Sequence, residues 1–245
     1  MLPRTGFPRQ RRLGLAALRR AATAGASVLV VMLAPVAQAA PPPAGAPAAS
    51  QAPTPLDRYL EHLKTLRVSF LQTVADAQGA EVGRSSGTLI VERPGKFRWE
   101  IQPQAAGNAT SGGQVMVADG RNLWYYDRDL QQVTVRPMTA ALSATPAMLL
   151  SGTVDVRQHF TETSAGKRDG LDWVYVEPRS TEADFKSALF GFDAQGTLQR
   201  MILEDKLGQV VTIIFQDVQV NVAVPDGALT FTPPAGADVI GTPAK

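Results

Sequence analysis

A serine motif is the first feature of this sequence that could support catalysis. Gly83, Ser85 and Gly87 match the pattern G-x-S-x-G, in which the serine is a nucleophile on a sharp turn between a strand and a helix. Here a glycine-rich loop precedes a strand pattern, and no plausible histidine and acid partners follow in the order of a catalytic triad. We therefore predict a hairpin loop at residues 83–87 instead of a nucleophile.

The two histidines, His62 and His159, are the next candidates for chemistry. Neither has a cysteine, histidine or carboxylate at the spacing of metal ligands, so we predict no metal site. We expect His62 on the polar side of a helix and His159 within a strand, both without a catalytic role. Phosphate-binding glycine loops and dinucleotide fingerprints are also absent. The sequence predicts no enzyme and no cofactor.

The most informative segment, residues 91–100, joins two strand patterns through Pro94-Gly95. This dipeptide is typical of a type II turn, because proline presets φ at the first central position and glycine supplies a positive φ at the second. After the turn, Phe97, Trp99 and Ile101 alternate with polar residues and share one face. We predict a hairpin with one apolar face.

Arg93 continues the apolar row of Leu89 and Val91 before that turn. A buried, unpaired guanidinium would cost several kcal/mol. Arg93 therefore either extends to solvent at the rim of the sheet or has a dedicated partner.

The elements around this hairpin are mostly strands. A helix is predicted over residues 55–66, since Leu56, Tyr59, Leu60 and Leu63 have helical spacing. Eleven antiparallel strands are predicted after it, separated by turns such as Asp119-Gly120. They cover residues 68–74, 86–93, 96–102, 114–119, 123–127, 132–137, 156–163, 172–177, 187–193, 198–204 and 209–220.

Residues 138–152 interrupt the strands with a helix-like, apolar stretch. Thr145 is placed as an N-cap, Pro146 as the first helical residue and Gly152 as the terminator. Its apolar residues are consecutive and do not form a stripe, so the helix either lies inside a domain or covers a cavity.

The first 39 residues have the composition of an export signal. Six arginines precede an apolar stretch, and Ala37-Gln38-Ala39 is an A-x-A cleavage site. An uncleaved anchor is the alternative, although Pro35 interrupts an apolar run shorter than the ~20 residues of a membrane span. The choice between the general and the twin-arginine export route stays open. Residues 40–55 are predicted as an Ala/Pro-rich linker, and residues 56–245 as a single domain.

Charge and cysteine content narrow the function further. The whole chain has a formal net charge of +2, but without the six N-terminal arginines 18 basic residues face 22 acidic ones. The exported chain is then mildly acidic, which gives no support for nucleic-acid binding. The chain has no cysteine, so neither disulfides nor a lipid-modified N-terminal cysteine is expected.

Five segments, in their order along the chain, resemble the periplasmic outer-membrane lipoprotein carrier family, LolA. They are residues 68–74, Glu92-Arg93-Pro94-Gly95-Lys96-Phe97-Arg98-Trp99, residues 117–126, Thr145-Pro146-Ala147-Met148-Leu149-Leu150 and residues 231–236. The resemblance implies a mainly β fold: a strongly curved, incomplete antiparallel barrel of about eleven strands, closed by short lid helices around an apolar cavity.

The resemblance also implies a function. Such a protein is a soluble, monomeric periplasmic carrier that takes acylated lipoproteins from an inner-membrane ABC-type release complex, shields their acyl chains and delivers them to an outer-membrane acceptor. By similarity, Arg93 hydrogen-bonds carbonyls of the lid helix in the closed, empty state, and Phe97 lies at the cavity mouth. The implied acyl-chain and lid residues are Phe70, Val91, Arg93, Phe97, Trp99, Ile101, Met138, Pro146, Met148, Leu149 and Leu150.

Two alternatives remain open on the same fold: a carrier for another lipid or glycolipid, and a lipid-sensing regulatory module. An apolar pocket identifies acyl chains and leaves their head group undetermined. The loop over residues 105–113 is expected to be enlarged, and the C-terminal extra strand of the family to be short or missing.

Overall fold

A computed structural model describes residues 52–104, 112–138, 146–152, 156–181, 183 and 185–244. The predicted export signal, most of the predicted linker, the Thr145 cap and most of the 105–113 loop lie outside the described residues. All of the described residues belong to one structural unit, residues 50–245.

The described chain is built on a single twelve-stranded sheet. Its spatial order is β12-β6-β5-β4-β3-β2-β1-β11-β10-β9-β8-β7, so β12 and β7 are the two free edges. The strands are β1 (Thr65–Ala75), β2 (Glu81–Glu92), β3 (Lys96–Pro103), β4 (Gln114–Asp119), β5 (Asn122–Asp127), β6 (Gln132–Pro137), β7 (Phe160–Arg168), β8 (Leu171–Pro178), β9 (Phe185–Phe192), β10 (Leu198–Asp205), β11 (Val210–Val220) and β12 (Asp238–Ile240).

The eleven predicted antiparallel strands are confirmed, with one addition. β12 pairs in parallel with β6, through Asp238–Gln132 to Ile240–Thr134. The C-terminal strand is thus present and short. Sequence reasoning missed it because three exposed residues carry no measurable alternation.

Three helices occur in the described part of the chain: α1 (Pro55–His62), α2 (Pro146–Ser151) and α3 (Val156–His159). α1 begins with a capping box, in which the Thr54 hydroxyl accepts from the Asp57 amide and the Asp57 carboxylate accepts from the Thr54 amide. None of these helices is long and apolar enough to cross a membrane.

Several local predictions were wrong. The first helix ends at His62 and not at residue 66, because β1 begins at Thr65. Residues 156–159 form a helical turn before β7, so His159 lies in α3 and not in a strand. The G-x-S-x-G segment lies inside β2 and not in a loop. Met138 follows β6 and is bonded through its amide to the Arg121 carbonyl, outside α2.

The core lies on the inner, concave face of the sheet. Alternate residues of β1, β2 and β3 point to it, and the cluster continues through β8 to β11 and both helices α1 and α2. Gly87 is required in this layer: a Cβ there would lie 2.7 Å from the Phe70 ring and 1.9 Å from the Glu100 carbonyl oxygen. Inner-face burial therefore positions both helices against the hairpin of β2 and β3.

A second, smaller apolar cluster covers the outer face of β4, β5 and β6. Trp124 and Tyr126 pack there against Phe231, with ring centroids 5.5 and 6.1 Å apart. The C-terminal segment thus seals the outer side of these strands and leaves their inner side for the core.

Candidate functional site

The site is organised by the turn between β2 and β3. Glu92 pairs with Lys96, so the loop has three residues, Arg93, Pro94 and Gly95. Gly95 has φ of +80° as predicted, but the Arg93–Pro94 peptide is cis. The predicted hairpin is confirmed.

Arg93 lies between the ends of two helices. Its Nη1 donates to the Leu60 carbonyl in the last turn of α1, at 2.5 Å. Its guanidinium also lies against Gly152, the residue that follows α2. Burial lowers the pKa of Arg93, and a helix-end carbonyl is a suitable acceptor for a partly buried cation. Arg93 thus has a dedicated partner, but this is a carbonyl of α1 and not, as expected, of the lid helix around residues 146–150, which forms α2.

A backbone bond attaches the same turn to α2. The Gly95 amide donates to the Ser151 carbonyl at 2.8 Å, and the Ser151 hydroxyl donates to the Met148 carbonyl at 2.9 Å. The C-terminal end of α2 therefore rests on the β2–β3 turn through main-chain atoms.

Most predicted site residues belong to the buried core cluster that includes α2. Val91 pairs with Phe97, and both are fully buried on the inner face. The α2 side chains of Met148, Leu149 and Leu150 are also buried in this cluster. Phe70 and Met138 belong to it as well, whereas Pro146 is placed here only as the first residue of α2. In this arrangement the buried side chains of α2 occupy part of the inner face of the sheet.

Trp99 and Ile101, the two remaining predicted residues, line an open apolar groove of about 220 Å³. The other walls come from β4, β5, β10 and β11, with Met116, Met201 and Leu203 among them. β4 and β10 are separated by four strands in the sheet, so the sheet must curl strongly for both to reach one groove. The Phe70 and Trp99 rings meet edge to face at 5.7 Å at its base.

Three polar side chains also line this groove: Gln72, Gln114 and Tyr125. Gln72 lies two positions after Phe70 on β1, and Gln114 lies two positions before Met116 on β4, so each glutamine shares the inner face with that apolar residue. Both glutamines are half-buried, and neither carboxamide has a hydrogen-bonding partner among the described residues. The indole Nε1 of Trp99 is likewise buried without a partner in the described structure.

Sequence reasoning missed these glutamines, although a signal was present. The same period-two alternation that places Phe70 on the inner face also places Gln72 there. The groove partners from β10 and β11 could not be identified, because they depend on how far the sheet curls.

A second and larger cleft, of about 620 Å³, lies along α1. Tyr59 and Phe192 contact each other there at 5.4 Å between ring centroids, but polar and charged side chains such as Arg58, Lys167 and Asp172 form much of its wall. Burial raises the pKa of Tyr59, whose hydroxyl has no hydrogen-bonding partner in the described structure. This mixed lining is less suited to hydrocarbon than the groove.

A group of four polar side chains fixes the start of α1. The Thr54 hydroxyl donates to Glu162 Oε2 on β7 at 2.6 Å, and Arg157 pairs with Asp57 at 3.2 Å. Burial raises the pKa of Glu162, whose Oε1 has no partner among the described residues. Burial would also raise the pKa of Asp57, but the hydrogen bonds from Arg157 and Thr54 outweigh it and lower that pKa. No group of three His, Cys, Asp or Glu in the described ranges could hold a metal ion.

Comparison with known sequences assigns the chain to a family. The profile described as "Outer membrane lipoprotein carrier protein LolA" matches residues 61–232. The chain belongs to the LolA family. A relative from Dechloromonas aromatica (strain RCB), named "Outer-membrane lipoprotein carrier protein", is 40% identical over 186 residues, which cover 76% of this chain and 86% of the relative. One of the same name from Nitrosospira multiformis is 39% identical over 185 residues, with the same coverage of both chains.

Among solved structures, the LolA superfamily protein NE2245 from Nitrosomonas europaea aligns with a TM-score of 0.40 and 14% identity, over 72% of this chain and 96% of that one. The family assignment rests on the sequence matches alone.

Proposed function

We propose that this protein is a periplasmic carrier that moves lipoproteins towards the outer membrane with their acyl chains enclosed in the sheet. The observation that carries the proposal is the apolar groove lined by Trp99, Ile101 and Met116, next to a core that α2 closes. The relatives named as outer-membrane lipoprotein carriers support it.

The physical need for such a groove follows from the cost of exposing hydrocarbon to water. At about 0.8 kcal/mol for each CH₂ group, one acyl chain costs on the order of 10 kcal/mol in solution. A lipoprotein therefore leaves a membrane only when a protein cavity replaces the bilayer around its chains.

The groove is too small to enclose acyl chains while α2 lies in its described position, an arrangement that we call unloaded. Its volume of about 220 Å³ is below the ~300–1,000 Å³ of pockets that enclose small ligands. More space must come from the region under α2, where Met148 and Leu150 now fill the inner face. We infer that α2 is a lid that moves away from β2 and β3 when cargo enters.

Arg93 is suited to control this movement. Its bond to the Leu60 carbonyl and its contact with Gly152 link α1, α2 and the β2–β3 turn in the unloaded arrangement. A hydrogen bond to a charged group contributes about 1.5–3 kcal/mol, which is enough to bias a lid and small enough to be overcome by acyl-chain burial. We infer that Arg93 is a latch for the unloaded state.

The remaining partners follow from this role: an inner-membrane ABC-type release complex as donor and an outer-membrane lipoprotein acceptor. The proposal also includes export by a cleaved segment over residues 1–39 and a single carrier domain over residues 56–245. The uncharged, Ala/Pro-rich sequence of residues 40–55 suits a spacer, whose last two residues, Thr54 and Pro55, cap and begin α1.

The function is tested by incubating purified mature protein with inner-membrane vesicles that contain the release complex, ATP and a labelled lipoprotein. We expect the lipoprotein in the soluble fraction as a complex with the carrier, and its later transfer to outer-membrane vesicles. Retention of all label in the donor vesicles, with active release complex present, would contradict the proposal.

A further inference from the structure

The two glutamines of the groove give it a polar element that hydrocarbon does not need. Gln72 and Gln114 lie on the inner face: Gln72 sits between Ile213 of β11 and Ser85 of β2, and Gln114 sits between Ile101 of β3 and Asp127 of β5. A groove built only to hold acyl chains would place apolar residues at both positions, because a carboxamide without a partner costs free energy when water is displaced.

These carboxamides are available to a ligand. Neither has a hydrogen-bonding partner among the described residues, and both are half-buried with an atom at the groove wall. Each carboxamide offers two N–H donors. Cargo that fills the groove would exclude the water that otherwise satisfies them, so the cargo itself must supply acceptors.

The position of the glutamines identifies the part of the cargo that they would meet. The pairing partners of Gln72 and Gln114 lie towards the end of the strands away from the helices, while the packed space under α2 lies at the other end. A chain inserted towards α2 would leave its linkage to glycerol near the glutamines. Ester carbonyls are acceptors, and they occur at that end of a diacylglyceryl group.

We propose that Gln72 and Gln114 bind the ester carbonyls that join the acyl chains to glycerol, and so make the groove selective for acylglycerol over plain hydrocarbon. This inference rests on the proposed carrier function and deepens it. It assigns a specificity-determining role to two residues of the groove wall.

The experiment compares two synthetic S-glyceryl cysteine peptides that differ only in linkage: a dioctanoyl diester and a dioctyl diether. Each displaces an environment-sensitive acyl probe from purified mature protein, below the concentration at which the peptides form micelles. The ether oxygen is a weaker acceptor, so the wild type is expected to bind the diester about tenfold more tightly, equal to about 1.4 kcal/mol at 25 °C.

The variants are Gln72→Leu, Gln114→Leu and their combination, with Gln216→Leu as the matched control. Gln216 is an exposed residue of β11 that pairs with Ser69 outside the groove. We expect the double variant to bind both peptides within about twofold of each other, each single variant to lose about half of the preference on a logarithmic scale, and the control to behave as wild type. Urea unfolding of each protein checks its fold, and Gln72→Met/Gln114→Met replaces the Leu pair if that pair unfolds.

Three results would overturn the inference: equal binding of both peptides by wild type, a tenfold preference retained in the double variant, or the same loss in the Gln216→Leu control. In each of these cases the probe and peptides still bind, so the carrier proposal stands. If wild type binds neither the probe nor either peptide, the carrier proposal fails and this inference fails with it.

Discussion

The Arg93 guanidinium lies where a side chain of residue 152 would otherwise be, and residue 152 is a glycine. A Cβ at residue 152 would lie 2.5 Å from Arg93 Nε and 2.9 Å from Cζ. Gly152 also has φ of +69°, in the left-handed region that ends many helices. The end of α2 and the Arg93 side chain therefore fit together only because residue 152 has no side chain.

Replacing Gly152 tests this fit. We predict that Gly152→Ala lowers the free energy of unfolding by about 2–3 kcal/mol, because backbone strain of about 1–2 kcal/mol is joined by displacement of Arg93. Gly170→Ala is the control, since Gly170 has φ of +76° with nothing within 4 Å of an added Cβ. Urea unfolding of both variants separates the two effects, and equal destabilisation would show that Arg93 is not held against residue 152.

Removing the latch should change the binding of cargo more than the fold. We predict that Arg93→Leu remains folded and binds an acyl probe at least tenfold more tightly, because the bond to Leu60 stabilises only the unloaded state. Delivery to outer-membrane vesicles should fall, since emptying no longer restores that bond. Arg121→Leu, at an exposed arginine, is the control. Normal probe affinity and normal release and delivery by Arg93→Leu would exclude the latch role.

Alternation in the sequence was sufficient to predict the hairpin and its inner face. Phe97 and Trp99 are buried on the concave side, as period two requires, and the eleven antiparallel strands follow from the same pattern and the turn residues. The alternation also places Gln72 and Gln114 on the inner face. Their role could not be predicted, because it depends on the groove that the curled sheet forms around them.

Contacts between distant segments were beyond sequence reasoning. The partner of Arg93 is a carbonyl 33 positions earlier in the chain, and its identity depends on where α1 ends. The parallel pairing of β12 with β6 joins residues about a hundred positions apart, with no local signal at either end. Residues 156–159, Val-Arg-Gln-His, contain no apolar alternation that would distinguish a strand from the helical turn that they form.

Tyr59 gives a prediction about stability. Its hydroxyl is buried without a partner in the described structure, and burial raises its pKa. Tyr59→Phe keeps the ring contact with Phe192 and removes the unsatisfied group, so we predict a free energy of unfolding equal to that of wild type or up to about 1 kcal/mol higher. A loss greater than 1 kcal/mol in urea unfolding would mean that the hydroxyl has a partner in solution.

Glu162 gives a prediction about pH. Its pKa in the folded protein is raised, first by burial and then by the charge of Asp57, so the folded state favours the protonated form. This contribution to stability is fully present below the ordinary pKa of 4.5 and is lost as pH rises through the raised value.

We therefore predict that Glu162→Gln matches wild type near pH 4 and becomes relatively more stable as pH rises to 7. Urea unfolding at a series of pH values measures the difference in free energy of unfolding between the two proteins. Asp57, whose pKa is lowered, is present in both, so its opposite contribution cancels in this difference. A constant difference between the two proteins across this range would contradict the raised pKa.

The central claim, that acyl chains bind inside the curved sheet, is tested most directly by titrating the mature protein with an environment-sensitive acyl probe. Ile101→Glu places a charge in the groove, and Ile214→Glu places the same charge on the outer face of β11, where Ile214 is 39% exposed. We predict saturable binding at about one probe for each wild-type protein, unchanged binding by Ile214→Glu and at least a tenfold weaker affinity for Ile101→Glu. No saturable binding by folded wild type, or equal affinity of the two variants, would contradict the account.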